Sequence, residues 1–139
     1  MIFGFGGKKR FYFKVFDDAA RRCGLHGALV EDAFRLTIWR WVEADCARRE
    51  PDAKGPDAND CLYHGMEAVA RLAAFAMLEP EESRDHLSEE EFAAVAGRLD
   101  QVLDHPERGG LDNQVIRLVL ATGRANRSIT DRVELDVEG

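Results

Sequence analysis

The sequence predicts a mainly α fold, a single domain formed by a bundle of about five helices. Apolar residues recur at helical spacing through most of the chain, and Pro and Gly residues separate these segments. A chain of 139 residues with 45% hydrophobic and 32% charged residues is long enough to bury one core and too apolar for a disordered protein. We therefore interpret residues 1–139 as one helical domain, in which 1–10 could be a flexible tip and 128–139 a tail.

The first element follows an aromatic and basic beginning and can be interpreted in two ways. Residues 11–16 alternate like a strand. Interpreted as a helix, the same segment places Phe11, Val15 and Ala19 on one face, and Gly24 would end it. We favour the helix.

The second and third helices are predicted from their ends and their apolar stripes. Residues 28–50 carry acids in the first turn and arginines in the last, and their apolar side chains on nearly all faces predict the central helix of the bundle. After a loop, an aspartate or asparagine at 57–60 is expected to cap a third helix that runs to about 78. Small residues such as Gly65 on that helix predict a close approach of another helix.

The fourth and fifth helices are predicted from their capping residues. Ser88 and Glu91 match a capping box, and Pro106 ends the apolar repeat that follows. Asp112 is expected to cap a fifth helix that stops at Gly123.

The tail changes its period. Val133, Leu135 and Val137 alternate with acidic residues, which is the two-residue repeat of a strand. A short strand over 129–137 could pair with 11–16. Otherwise the tail is disordered or binds another chain by strand addition.

The charge of the chain is unevenly distributed and indicates its first candidate function. Residues 1–50 hold ten Lys or Arg and seven Asp or Glu, whereas the rest of the chain holds nine and nineteen. The stretch 79–107 is the most acidic. It favours a non-enzymatic protein-interaction module, a regulator, adaptor or inhibitor that binds a basic protein partner. The candidate binding residues are Glu79, Glu81, Glu82, Asp85, Glu89 and Glu90.

The acidic stretch has one alternative explanation, and other observations argue against nucleic acid as a partner and against common enzyme classes. The same charge run is typical of a solvated face that keeps a protein soluble. An acidic body also disfavours nucleic acid as a partner. No nucleophile context, dinucleotide fingerprint or phosphate-binding loop is recognisable, which argues against the common enzyme classes.

Two Cys-x-x-His pairs indicate a second candidate function, a thiol or metal protein. Cys23 with His26 and Cys61 with His64 could together complete a tetrahedral Cys2His2 zinc site, the one cofactor the sequence suggests. Buried, inert cysteines and solvent-facing histidines are the commoner explanation of such a pattern. An odd count of three cysteines, with Cys46 as the third, predicts reduced thiols rather than a disulfide framework.

The aromatic and basic beginning indicates a third candidate function, peripheral membrane contact. Phe3 and Phe5 could enter a lipid interface or dock on a partner while Lys8, Lys9 and Arg10 meet anionic groups. Alternatively, the rings fold back onto the helices as part of the core.

Localisation and assembly are inferred from the same patterns. No apolar run approaches the roughly 20 residues of a membrane span, and the charge order at the beginning is the reverse of a secretory signal. We therefore expect a cytoplasmic protein. A wide apolar surface on the predicted second helix is compatible with a homo-oligomer.

Overall fold

Between residues 7 and 138 the chain folds into seven α-helices and two short 3₁₀ turns. The structure is a computed structural model that describes residues 7–138, without the side chains of 28 and 134–138. The helices are α1 (Gly7–Arg22), α2 (Asp32–Arg49), α3 (Pro56–Met77), α4 (Pro80–Arg84), α5 (Glu89–Asp104), α6 (Gly110–Ala121) and α7 (Arg127–Glu138). The 3₁₀ turns cover Gly27–Leu29 and Pro106–Arg108. The mainly α fold is thereby confirmed, with slightly more helices than the five expected.

α3 is the central helix and packs against α1, α2, α5 and α6. Its C-terminal half is buried on almost every side, because short side chains let the neighbouring helices approach closely. These short residues are Ala70, Ala73, Ala74 and Ala76.

The prediction that the second helix is central is wrong. α2 buries a single stripe that includes Phe34, Ile38 and Val42, whereas Trp39 and Trp41 are only half-buried. Large rings can cover the surface of a bundle without entering its centre, so apolar composition alone overstated the burial of α2.

The contact between α2 and α3 depends on a glycine. A Cβ atom at Gly65 would lie 2.7 Å from Cγ1 of Val42, a separation that side chains do not tolerate. The close approach expected at the small residues of this helix is therefore confirmed at Gly65.

The first residues of the helices agree with the sequence prediction in α5 and differ from it in α3 and α6. Ser88 Oγ accepts a hydrogen bond from the Glu91 amide at 3.1 Å, and Glu91 Oε1 accepts one from the Ser88 amide at 3.2 Å. α3 and α6 instead begin after glycines, Gly55 and Gly109, at φ angles of 58° and 60°. Only glycine adopts this region readily, so the predicted aspartate caps are not used.

The tail is a helix, α7, and the strand suggested for 129–137 is wrong, as is its pairing with 11–16, which lies inside α1. Asn126 explains the helix. Its Oδ1 accepts from the Ile129 amide at 3.0 Å, a cap on the first turn, and its amide nitrogen donates to carbonyls at the end of α3. Ile129 is 1% exposed and packs in the core one turn before the half-buried Val133.

Candidate functional site

The acidic face predicted from the sequence lies on α4 and the beginning of α5. All six of its carboxylate side chains are exposed. Glu79 and Glu82 form a reciprocal capping box around the first turn of α4, and Glu79 Oε1 also accepts from the Arg127 amide at 3.3 Å. These hydrogen bonds involve backbone amides and leave the negative charges uncompensated by a cationic side chain.

The acidic face differs from other acids of the described chain, many of which pair with arginine. None of its six carboxylates forms an ion pair with a described residue, and the Arg84 guanidinium beside it lies 4.2 Å from the centre of the Phe92 ring instead. The acids that do pair with arginine are Asp17, Glu31, Asp32, Asp45, Glu67, Glu91, Asp100, Asp104 and Asp112.

A second concentration of carboxylates lines an open groove at the other end of α3. This acidic groove has a volume of about 1160 Å³ and lies between the end of α2, the start of α3, the start of α6 and Arg98 of α5. Its carboxylates without a described cationic partner are Glu50, Asp52, Asp57 and Asp60. Sequence reasoning missed the groove because it treated the acids of this loop as caps, although their density between two helices was visible.

The field of the groove reaches a neighbouring tyrosine. Tyr12 of α1 is 3% exposed, and its hydroxyl donates to the Asn59 carbonyl at 3.4 Å. Burial raises the pKa of Tyr12, and the negative charges of Asp60 and Glu43 raise it further. Asp60 of the acidic groove thus acts on a group of the neighbouring helix α1.

A disulfide lies in the wall of the acidic groove. It joins Cys46 of α2 to Cys61 of α3, whose Cα atoms are 6.1 Å apart. The expectation that all three thiols are reduced is therefore corrected: two of them pair because the helix–loop–helix turn brings residues 15 positions apart together. Cys23 is the one free cysteine among the described residues.

The predicted Cys2His2 zinc site is not assembled. Cys61 is bonded to Cys46, Cys23 is 0% exposed in the core, and the His26 and His64 side chains are exposed. No group of three or more His, Cys, Asp or Glu within the described residues is placed to hold a metal ion. The repeated spacing fails because Cys23 turns inward at the end of α1, whereas Cys61 faces α2.

The Cys23 thiol is chemically protected. Burial raises its pKa, and the negative charge of Glu91 adds to the rise, while Arg71 and Arg22 act in the opposite direction. A protonated thiol shielded from solvent is a poor nucleophile, so we interpret Cys23 as part of the core.

The basic beginning is described only in part. Lys8 is half-buried and Lys9 and Arg10 are exposed, all within the first turns of α1, where cations oppose the helix dipole. Phe3 and Phe5 lie outside the described residues. None of the helices described combines the length and apolar character needed to cross a membrane.

The acidic face, the acidic groove and the disulfide are thus the features from which a function can be argued. The chain matches no protein-family model, no curated protein and no solved structure.

Proposed function

We propose that this protein is a non-enzymatic interaction module whose acidic face binds a lysine- or arginine-rich segment of a partner protein. The observation that carries the proposal is the contrast in pairing. The six carboxylates of the face are exposed and without an ion pair in the described chain, although arginines elsewhere on the surface pair with carboxylates.

A role in helix stability accounts for only part of this face. Glu81 and Glu82 in the first turn of α4, and Glu89 and Glu90 in that of α5, interact favourably with the helix dipoles. Such interactions contribute about 0.3–1 kcal/mol each. Asp85 at the end of α4 gains nothing from that dipole, because the C-terminal end of a helix is its negative end.

The acidic face also suits a basic partner better than the acidic groove does. Arg49 and Arg98 line the groove together with its carboxylates, and each pairs with an aspartate there. Within the acidic face the one arginine, Arg84, stacks on a ring of α5. A basic segment therefore meets one arginine on α4 and the first turn of α5, against two in the groove.

Binding to the face should be electrostatic and salt-dependent. Charges at an exposed surface act over about 10 Å at 0.1 M salt and are screened strongly above that concentration. They accelerate association more than they slow dissociation. We expect rapid, moderate binding that weakens as salt is added.

Two charge-matched variants test the proposal with a fluorescent lysine-rich peptide as the probe. E81Q/E89Q/E90Q removes three charges from the acidic face and spares the Glu79–Glu82 capping box, whereas D52N/D57N/D60N removes three from the acidic groove. For the unmodified chain, we expect the Kd to rise about tenfold between roughly 50 and 300 mM NaCl. At low salt, the face variant should bind at least about fivefold more weakly and the groove variant within about twofold of the parent.

The remaining outcomes contradict the proposal. Equal weakening by both variants would mean that net charge alone attracts the peptide. Weakening by the groove variant only would transfer the binding site to the other end of α3. Affinity that does not change with salt would exclude an electrostatic interface.

A further inference from the structure

The Cys46–Cys61 disulfide is asymmetric in its access to solvent. Cys46 is 7% exposed on the inner side of α2, whereas Cys61 is half-buried and lines the acidic groove. Of the two cysteines, Cys61 is therefore the one that a thiol entering the groove approaches.

An arginine is held against both sulfurs. Nη2 of Arg49 lies 3.6 Å from Cys61 Sγ and 4.0 Å from Cys46 Sγ. The other side of the same guanidinium is fixed, because Nε donates to Asp45 Oδ2 at 2.7 Å. The Asp45 side chain is only 12% exposed and that of Arg49 is 55% exposed, so this ion pair holds the guanidinium beside the two sulfurs. A cation beside sulfur stabilises the thiolate form.

We propose that Cys46 and Cys61 form a thiol–disulfide exchange site, at which a neutral or positively charged dithiol reduces the bond by attacking Cys61. The proposal uses neither the acidic face nor a basic protein partner, so its outcome is independent of the function proposed above.

The exchange proceeds in two balanced steps. A thiolate of the dithiol attacks Cys61 Sγ, a mixed disulfide forms, and the Cys46–Cys61 bond breaks with its electron pair on Cys46 Sγ, beside Arg49. The second thiolate of the dithiol then attacks the first sulfur of the dithiol, which is bonded to Cys61 Sγ in the mixed disulfide, and expels Cys61 as a thiolate. The protein gains two electrons, its thiolates take two protons from solvent as they equilibrate, and the dithiol becomes a disulfide.

The charge of the acidic groove selects the reductant. Asp57 and Asp60 line the groove together with Cys61 and have no described cationic partner. They repel a thiol that carries a carboxylate and attract one that carries an ammonium group. The preferred reductant is therefore a neutral or cationic dithiol rather than an anionic thiol.

The role of Arg49 can be tested with a matched pair of variants, Arg49→Gln and Arg48→Gln. Each removes one of the two guanidinium groups that bind Asp45, but only Arg49 contacts the sulfurs. In the reduced protein, the alkylation rate of Cys61 should be measured against pH by peptide mass spectrometry, with buried Cys23 as the unreactive internal reference. We expect R49Q to slow alkylation at pH 7 about three- to tenfold and to move the profile to higher pH. R48Q should stay within about twofold of the parent.

The charge selectivity can be tested on the oxidised, folded chain with three small thiols, cysteamine, 2-mercaptoethanol and 3-mercaptopropionate, at equal thiolate concentrations. We expect cysteamine to reduce the bond at least about fivefold faster than 3-mercaptopropionate at low salt, and D57N/D60N to reduce this ratio towards one.

Three results would overturn the proposal. One is reduction that occurs only when the chain unfolds, seen as a rate that follows denaturant and not thiol concentration. Another is identical alkylation profiles for R49Q and R48Q. The third is a chain that keeps three free thiols after incubation with an oxidised dithiol.

Discussion

At the scale of single residues, Arg35 is a buried charged residue of the described chain, with a side chain that is only 9% exposed. Its guanidinium donates to Asp17 Oδ1 of α1 at 2.8 Å, to the Val30 carbonyl at 2.6 Å and to the Gly27 carbonyl at 2.7 Å. One side chain thus joins α1, the first 3₁₀ turn and α2. Its removal would leave the Asp17 carboxylate and the Val30 carbonyl without this donor, whereas the Gly27 carbonyl also accepts from the Val30 amide at 3.1 Å.

Arg35→Ala should therefore lower the free energy of unfolding by about 2–4 kcal/mol, because charge-assisted hydrogen bonds are lost and the Val30 carbonyl stays buried without a donor, while the Asp17 side chain, 29% exposed, regains contact with water. The matched control is Arg48→Ala, since Arg48 also pairs with an aspartate, Asp45, but its side chain is largely exposed. It should cost less than about 1 kcal/mol. Urea unfolding monitored by circular dichroism measures both variants. Equal losses in the two variants would show that the guanidinium network around Arg35 contributes no more than a surface pair.

The pairing of Arg35 with Asp17 and the Cys46–Cys61 bond were not predicted from the sequence, because both join residues that are distant along the chain. Arg35 meets an aspartate 18 positions earlier only after α1 and α2 pack, and nothing in its local sequence distinguishes it from the other arginines. Cys46 and Cys61 were both visible, but the odd number of cysteines favoured reduced thiols. The exposure of the acidic face, in contrast, could be predicted because consecutive acids are rarely buried.

At the scale of secondary structure elements, Asn126 fixes the start of α7 against the end of α3. It is 5% exposed, its side-chain nitrogen donates to the carbonyls of Phe75 and Leu78, and its backbone amide donates to Ala76. These bonds satisfy the otherwise open carbonyls at the end of α3, while the side-chain oxygen caps α7. The end of the central helix and the start of the last one are thus held by one residue.

Asn126→Ala should detach α7 from the end of α3, because buried carbonyls that lose their donors cost about 1–3 kcal/mol each. Amide hydrogen exchange across 127–133 should accelerate at least about tenfold, while exchange in α2 changes little. Asn126→Asp is the informative comparison, because it keeps the capping oxygen and loses the donors to α3. If N126D protects 127–133 as well as the parent does, the cap alone holds α7 and the bonds to α3 are dispensable.

The elements that the sequence predicted best are those with local end signals. The capping box of α5 and the glycine that ends α6, Gly123 at a φ of 73°, depend only on residues close together in the sequence. α7 was misjudged because Val133, Leu135 and Val137 satisfy a strand period. The cap from Asn126 to the Ile129 amide is a local signal that the strand interpretation overlooked, whereas the burial of Ile129 depends on tertiary contacts.

At the scale of the whole molecule, the acidity of the chain is separated along its central helix. α3 spans 22 residues, about 33 Å at 1.5 Å per residue. The acidic groove lies at its N-terminal end and the acidic face begins just beyond its C-terminal end. The charge difference seen in the sequence therefore becomes two separate acidic surfaces, which the charge-matched variants can distinguish.

The disulfide ties α2 to the N-terminal end of this central helix, so its effect should appear in the stability of the whole fold. It closes a loop of 15 residues, for which the lost chain entropy of the unfolded state corresponds to about 3 kcal/mol. Oxidised protein should therefore melt about 10 °C above protein kept in a reductant, by calorimetry or circular dichroism. C46S/C61S is the control, and its Tm should match that of the reduced parent and not respond to the reductant. If oxidised and reduced parent melt within about 1 °C of each other, α2 and α3 are already as constrained without the bond, and the loop-closure argument fails for this chain.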